Sequence, residues 1–399
     1  MEPTGDNRQE QWRALARRAQ WPALIAGALG LAGCVAGWLV APDQLFGSYL
    51  LALQFWLGIS LGSLAITMLY HLVGGSWGYP VRRVQEAAAM LLALLALLFL
   101  PLPLLGMAAL YPWARPAEVA ADPLLQAKQP YLNVPFFAGR AALYFAIWIG
   151  LAALLNRWSL RQDQSGDPAL ERRMRDLSRF GLVLYMLTVT FASIDWVMSL
   201  EPHWYSTIYG LIYVAGQGLS GFAFAILAAG LLARRSPLAG LDMPARFGDL
   251  GGLLLTFVMF WGYVTLSQYL LIWSGNLPEE VTWYVGRSQG GWSWVILAVL
   301  GLQFVLPFLL LLARRNKRSV RALTAVAALI LAVHLLELFW LIMPPLRPAG
   351  LSVYWTDIAA PVGVGGVWVA AFAWLLASRP LLAPHDPRSR PAQEAVEHG

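Results

Sequence analysis

The amino-acid sequence predicts an all-α integral membrane protein of about ten transmembrane helices, with both termini in the cytoplasm. Three observations carry this. First, 58% of the 399 residues are hydrophobic and only 13% are charged, against roughly a quarter charged in soluble domains. So few charges cannot coat a water-soluble fold of this length, and mean hydropathy is +0.58. Second, the apolar residues come in runs of about 20 or more, the length that crosses a hydrocarbon core about 30 Å thick. Third, basic residues collect in alternate connecting loops.

Backbone groups in lipid must be satisfied within the segment, so the apolar runs are helices. They fall at 21–40, 47–73, 84–110, 134–155, 177–200, 206–233, 247–273, 290–314, 320–343 and 357–378. The first run follows a polar stretch with Arg13, Arg17 and Arg18, and reads as a membrane helix rather than a cleavable signal peptide. Residues 1–20 then form a cytoplasmic N-terminal segment, 21–378 one polytopic membrane domain, and 379–399 a cytoplasmic, disordered tail.

One side collects Arg8, Arg13, Arg17 and Arg18, then Arg82 and Arg83. Arg157, Arg161, Arg172, Arg173 and Arg175 follow, then Arg234, Arg235 and Arg246. The series ends with Arg314, Arg315, Lys317, Arg318 and Arg321, and with Arg379, Arg388 and Arg390. The loops of the other side hold Arg115, Lys128, Arg287 and Arg347. The positive-inside rule places both termini in the cytoplasm and supports an even number of spans. It also accounts for the net charge of +6 without nucleic acid. The single cysteine, Cys34, excludes an internal disulfide, a cysteine zinc site and an iron–sulfur cluster held by this chain alone.

The outward loops 111–133, 201–206 and 274–289 are rich in Trp, Tyr, Pro and Gln. Aromatic rings at headgroup depth account for Trp113, Trp204, Trp283 and Tyr284, and a docking surface for an external partner is the sharper alternative. Gly58-Ile-Ser-Leu-Gly-Ser63 in the second span echoes Gly216-Gln-Gly-Leu-Ser-Gly221 in the sixth. Spans four apart run in the same direction. That predicts two four-helix bundles, spans 2–5 and 6–9, with spans 1 and 10 flanking; small-residue packing faces are the simpler account.

Ionisable side chains at depth cost at least ~2.5–3.5 kcal/mol on insertion scales, so each needs a reason. His334 and Glu337 lie three apart in the ninth span, on one helix face. A carboxyl group beside an imidazole can share a proton, so the pair is a candidate relay, and a neutral Glu bonded to a neighbouring helix is the structural alternative. Asp195 lies about 10 Å outside the midplane at 1.5 Å per residue. It opens an outward turn with Glu201 and His203, whose Ser206 or Thr207 can cap the sixth span. On the inward side, Gln85 and Glu86 open the third span, Asp249 opens the seventh and His71 closes the second. Acids at helix starts favour the helix dipole, yet the same groups could form the mouth of an inward half-channel. Tyr263, Ser267 and Gln268 would extend a polar track outward. The candidate proton path is therefore Glu86, Asp249, His334, Glu337 and Asp195, and the candidate outer site is Asp195, Glu201 and His203. The membrane histidines His71 and His334 sit at different predicted depths, His203 lies in an outward turn and His385 and His398 in the tail, so no haem ligand pair is expected. No P-loop, dinucleotide fingerprint or HExxH occurs, and no catalytic residue or metal ligand is assigned.

Residues 191–210, FASIDWVMSLEPHWYSTIYG, resemble the signature of the membrane subunits of bacterial alternative complex III, a quinol:cytochrome c or electron-carrier oxidoreductase. Residues 55–83, FWLGISLGSLAITMLYHLVGGSWGYPVRR, and 266–287, LSQYLLIWSGNLPEEVTWYVGR, are similar to its F subunit rather than the larger paralogous C subunit. The likeness spans about 47 to 343. Both subunits resemble the polysulfide-reductase, or NrfD-type, membrane-anchor family, whose fold is two four-helix bundles with flanking helices. The resemblance implies a cofactor-free subunit in the bacterial inner membrane, beside the NrfD-like C subunit and periplasmic subunits that carry c-type haem and iron–sulfur clusters. It implies that the C subunit holds the main quinol site and that the F-type subunit contributes a proton path and support.

Three other readings stand beside it. A direct quinol-binding subunit predicts a lipid-open apolar pocket on the outer side with Asp195 in its wall. An ion-coupled transporter predicts helices broken near the midplane, for which Pro101, Pro103 and Pro307 are the hints. A purely structural anchor predicts buried acids that are all hydrogen-bonded and cut off from water.

Overall fold

In a computed structural model, residues 5–233, 238 and 241–386 are described. Arg234, Arg235, Arg388, Arg390 and His398, and the side chain of Arg8, lie outside them. Among the described residues ten helices are long and apolar enough to cross a membrane, and there is no strand. We number the spans α1 (Gly5–Val40), α2 (Pro42–Val73), α3 (Arg82–Leu110), α4 (Val134–Ser165) and α5 (Pro168–Trp196). They continue with α6 (Tyr209–Leu232), α7 (Met243–Gly275), α8 (Trp292–Leu312), α9 (Val320–Ile342) and α10 (Thr356–Ala377). The chain is an all-α integral membrane protein.

Local chemistry sets the helix ends. Asn133, Asp167, Asp242 and Ser319 each accept a backbone N–H of the first turn of α4, α5, α7 and α9, which satisfies a donor that has no partner inside the helix. Gly166 and Asn276 end α4 and α7 in left-handed conformation, the usual helix stop. The first span is longer than its apolar run. Residues before Trp21 continue the same helix back to Gly5.

The spans α2–α5 close one bundle, each packed on its sequence neighbour with α5 returning to α2, and α6–α9 repeat the arrangement. The bundles meet along α2 and α6, while α1 pairs with α10, which lies on α2. The two echoed glycine segments face each other at this seam. A methyl group on Gly62 would lie 1.8 Å from the Gln217 carbonyl oxygen, and one on Gly221 would lie 2.6 Å from the Gly62 carbonyl carbon. Only glycine permits such an approach, and close backbone contact is how membrane helices gain packing energy without a hydrophobic drive. Gly30 and Gly363 do the same between α1 and α10.

We call the end where α1 begins and α10 finishes the terminal face, and the opposite end the distal face. The tail is not loose throughout. Leu381, Ala383 and Asp386 are buried against the terminal face, where Asp386 accepts from Arg82 at 2.7 Å and from Tyr70 at 2.9 Å. The polar sequence after 378 gave no sign of these partners because they come from α2 and α3.

Candidate functional site

Among the described residues, five acidic side chains are buried: Glu86, Asp195, Glu337, Asp357 and Asp386. Four of them meet a guanidinium. Glu86 lies 2.9 Å from Arg82 and 2.5 Å from Arg83, Asp195 bonds Arg140, Asp357 bonds Arg347, and Asp386 bonds Arg82. An arginine cannot release its proton in a protein, so each of these carboxyl groups faces a permanent cation. Glu337 differs. Its ionisable partner is an imidazole, with His334 Nδ1 2.8 Å from Oε2. Gln303 Nε2 donates to the same oxygen at 2.6 Å, and Trp261 Nε1 donates to Oε1 at 2.7 Å. A carboxyl–imidazole pair can hold its proton on either member. Glu337 sits about 8 Å, and His334 about 12 Å, below the distal end of α9 at 1.5 Å per residue.

Three helices deliver these partners. Trp261 comes from α7, and Gln303 lies in a wide π turn of α8, Leu300–Val305. Pro307 follows one turn on. It has no amide to bond the Gln303 carbonyl, and a π turn is a common relief for such a gap, often at functional positions. A second π turn, Leu102–Gly106 in α3, contains Pro103 and follows Pro101. The prolines read from the sequence therefore widen helices locally, and α3 and α8 still cross.

Glu337 stands between two cavities. The smaller, about 10 Å³, is lined by Gln54, Tyr213, Gln217, His334 and Glu337, close to the least volume that holds one water. Gln54 Nε2 and the Tyr213 hydroxyl are buried there without a protein partner. Next to it, a methyl group on Gly58 would touch Gln217, His334 Nε2 and Ser220 Oγ at 3.7, 3.8 and 3.9 Å. The imidazole thus turns Nδ1 to Glu337 and Nε2 to the polar seam of α2 and α6.

The larger cavity is a cleft of about 820 Å³ between α7 and α8, with α6 and α9 behind it and Glu337 in its wall. Its roof is a short helix, Pro278–Ser288, that supplies Trp283, Tyr284 and Arg287. Arg287 pins that helix: it donates to Glu201 Oε2 at 2.6 Å and to the Leu341 carbonyl at 3.1 Å, and its guanidinium lies 3.7 Å over the Trp283 ring. Burial pushes the Tyr284 hydroxyl well above its ordinary pKa, so it remains a donor. The walls are mostly apolar, and Tyr263, Leu266 and Leu297 are exposed where lipid would lie.

The other sequence candidates are placed apart from this pair. Glu86 belongs to an ionic cluster at the terminal face with Arg82, Arg83, Ser159 and Asp163. There burial lowers the basicity of the neighbouring Arg379, whose Nη1 donates to Asn156 at 2.5 Å. Asp249 is exposed at the start of α7. Asp195 is held at both oxygens by Arg140, at 2.8 and 2.9 Å, and by Tyr144 at 2.8 Å. Burial and the Asp195 charge raise the neighbouring Tyr131 hydroxyl to about 12. Glu201 goes to Arg287, and the exposed His203 goes to Asp122 at 2.6 Å. Asp195, Glu201 and His203 therefore take three separate partners. Gln85 donates to the Gly221 carbonyl at 3.3 Å, His71 is buried at the end of α2, and of the outward track only Gln268 is buried while Tyr263 faces out.

Sequence reading missed Trp261, Gln303, Arg140 and Tyr144. Arg140 carried a usable signal, an arginine inside an apolar run that must find a counter-charge. Gln303, a lone amide between apolar residues, carried a weaker one. Trp261 and Tyr144 had none, since tryptophan and tyrosine are common in spans. Among the described residues no three His, Cys, Asp or Glu side chains converge as metal ligands. Compared with known proteins, the chain matches no family model and no curated sequence.

Proposed function

We propose that this chain is a cofactor-free integral subunit of a bacterial quinol:electron-carrier oxidoreductase of the alternative complex III type. It would lie in the inner membrane with both termini cytoplasmic, beside an NrfD-like paralogue and periplasmic haem and iron–sulfur subunits. Its own contribution is a proton-accepting pair, Glu337 and His334. The motifs at 191–210, 55–83 and 266–287 support the assembly. The observation that carries the proton role is that Glu337 is the one buried acid, among the described residues, whose ionisable partner is a histidine rather than an arginine.

The chemistry is a two-step transfer. A proton taken up on Glu337 from the cleft side passes across the 2.8 Å hydrogen bond to His334 Nδ1. The imidazolium then releases its Nε2 proton into the seam near Ser220 and Gln217, or into the small cavity. The carboxylate returns to its three hydrogen bonds, one of them now from the Nδ1–H of His334, and the pair is reset when a ring flip or tautomer exchange moves that proton back to Nε2. Glu86 and Asp195 serve as structural ion pairs in this scheme.

The test is the affinity-tagged chain purified from its native membrane, followed by quinol oxidation with proton release in liposomes. Co-purifying c-type haem and a Glu337→Gln complex that keeps electron transfer but loses proton movement are expected. Purification without haem partners overturns the assembly, and unchanged coupling in Glu337→Gln overturns the relay.

A further inference from the structure

We infer that the terminal-face segment between α8 and α9 is a binding site for an anionic phospholipid, whose headgroup phosphate meets Lys317 and Arg318 while its acyl chains lie on α8. The inference is independent of the respiratory assembly and of the proton role of Glu337.

Residues 314–321 carry five cations, Arg314, Arg315, Lys317, Arg318 and Arg321, with no acid among them. Other basic stretches of the terminal face are mixed. Asp163 follows Arg157 and Arg161, and Glu171 and Asp176 sit among Arg172, Arg173, Arg175 and Arg179. Those acids are used: Asp163 meets Arg83, Glu171 meets Arg175 and Asp176 meets Arg179. Among the described residues none of the five cations of 314–321 meets a carboxylate, and Asp249 of α7, next to Gly248, is exposed and forms no ion pair with them. Their counter-charge must come from outside the chain.

The segment is also held in place. Arg314–Arg318 form a short helix laid over the start of α7. The stem of Lys317 packs on Gly251, where a methyl group would lie 2.8 Å from Lys317 Cγ, and that of Arg318 on Gly248, where it would lie 3.3 Å from Arg318 Cγ. Asn316 Nδ2 donates to the Leu310 carbonyl at 2.9 Å, and Ser319 Oγ accepts the Ala322 N–H at 3.3 Å. The segment is thus tied to α7, α8 and α9 together. Long basic side chains with seated stems have less freedom to lose when they meet an anion. Within the last turn of α8, Leu309 and Leu312 are 58% and 55% exposed, which puts an open apolar wall directly beside the cations. The positive-inside rule accounts for basic residues on this face. It does not account for two of them being seated on glycines at the edge of that wall. Phosphate is the anion present at headgroup depth, and clustered Lys and Arg at the end of a span are a usual means of holding it. A soluble polyanion would use the cations and leave the leucines unused.

The test uses the full-length protein, in whatever complex it purifies, stripped of lipid in detergent and given back cardiolipin, phosphatidylglycerol or phosphatidylcholine with identical acyl chains. Native mass spectrometry should show a saturable class of sites that takes the two anionic lipids and not phosphatidylcholine. Lys317→Gln with Arg318→Gln should weaken that class about tenfold, on the scale of two basic residues at a membrane surface. Arg314→Gln with Arg315→Gln should weaken it as well, and either pair decides alone if the other does not fold. Arg172→Gln with Arg173→Gln, on the same face, should leave the class unchanged, and matching melting profiles show which variants fold. Equal retention of phosphatidylcholine, binding indifferent to the variants of 314–318, or equal weakening by the α5 variant overturns the inference. So does inorganic pyrophosphate that displaces the lipid at matching concentration, since the site would then be one for soluble anions.

Discussion

His334 Nδ1 lies 2.8 Å from Glu337 Oε2, and the other ring nitrogen of His334 faces Gly58 of α2 at the seam between the two bundles. The imidazole therefore links a carboxyl group in the wall of a lipid-side cleft to a polar interface inside the protein. Every other buried acid among the described residues is neutralised by arginine. This contrast sets one carboxyl–imidazole pair apart from four carboxyl groups paired with guanidinium.

Replacing His334 by Phe removes the Nε2 exit while leaving Glu337 its bonds from Gln303 and Trp261. Proton movement in liposomes should fall at least tenfold, and His334→Gln should restore little of it, because an amide cannot pass a proton by exchanging tautomers. Retained proton movement in His334→Phe would remove the imidazole from the route. Infrared difference spectra provide a second readout: a protonated carboxyl band lost in Glu337→Gln should persist in His334→Phe.

The ion pair of Asp195 and Arg140 should be structural. Asp195→Asn leaves the guanidinium uncompensated and should cost about 3 kcal/mol, as breaking a buried pair does. Exchanging both residues for apolar ones, Arg140→Met with Asp195→Leu, should recover much of that loss. Thermal unfolding followed by size exclusion measures both. Proton movement that collapses in the stable double variant would instead place Asp195 on the route.

Gly62→Ala should destabilise the seam between the bundles. The new methyl group would lie 1.8 Å from the Gln217 carbonyl oxygen, and overpacking of this kind costs about 1–3 kcal/mol or more. Gly139→Ala, where nothing lies within 4 Å, should be neutral in the same melting assay. Equal melting of the two variants would mean that α2 and α6 do not meet as described.

Topology can be read chemically. In a Cys34→Ser background, Asn316→Cys and Glu279→Cys should react with a membrane-impermeant maleimide from opposite sides, Asn316→Cys from the cytoplasm. Labelling of both from one side would contradict ten crossings, and labelling of Asn316→Cys from outside would reverse the orientation that the basic loops predict.

The ten spans, the order of the bundles and the exceptional pair His334–Glu337 were legible in the sequence. Length and hydropathy define a span locally, and residues three apart on a helix must share a face. The same local logic picked out Asp195 within a span and Glu86 at a span's inward start as candidates, yet did not separate them from Glu337. What separates them is the identity of the ionisable neighbour: Arg140 from α4 for Asp195, Arg82 and Arg83 of its own helix for Glu86, and His334 of its own helix for Glu337. Neighbours from other helices are chosen by packing, which no run of residues records. The cleft is likewise a property of how α7 and α8 diverge beyond a π turn, and the docking of residues 379–386 depends on Arg82, about three hundred residues earlier in the chain. The sequence by itself determined what crosses the membrane and which groups are costly there, because those are properties of single helices in lipid. Only the tertiary structure decided which of these groups meets a fixed cation and which an imidazole, because that depends on how the helices pack around it.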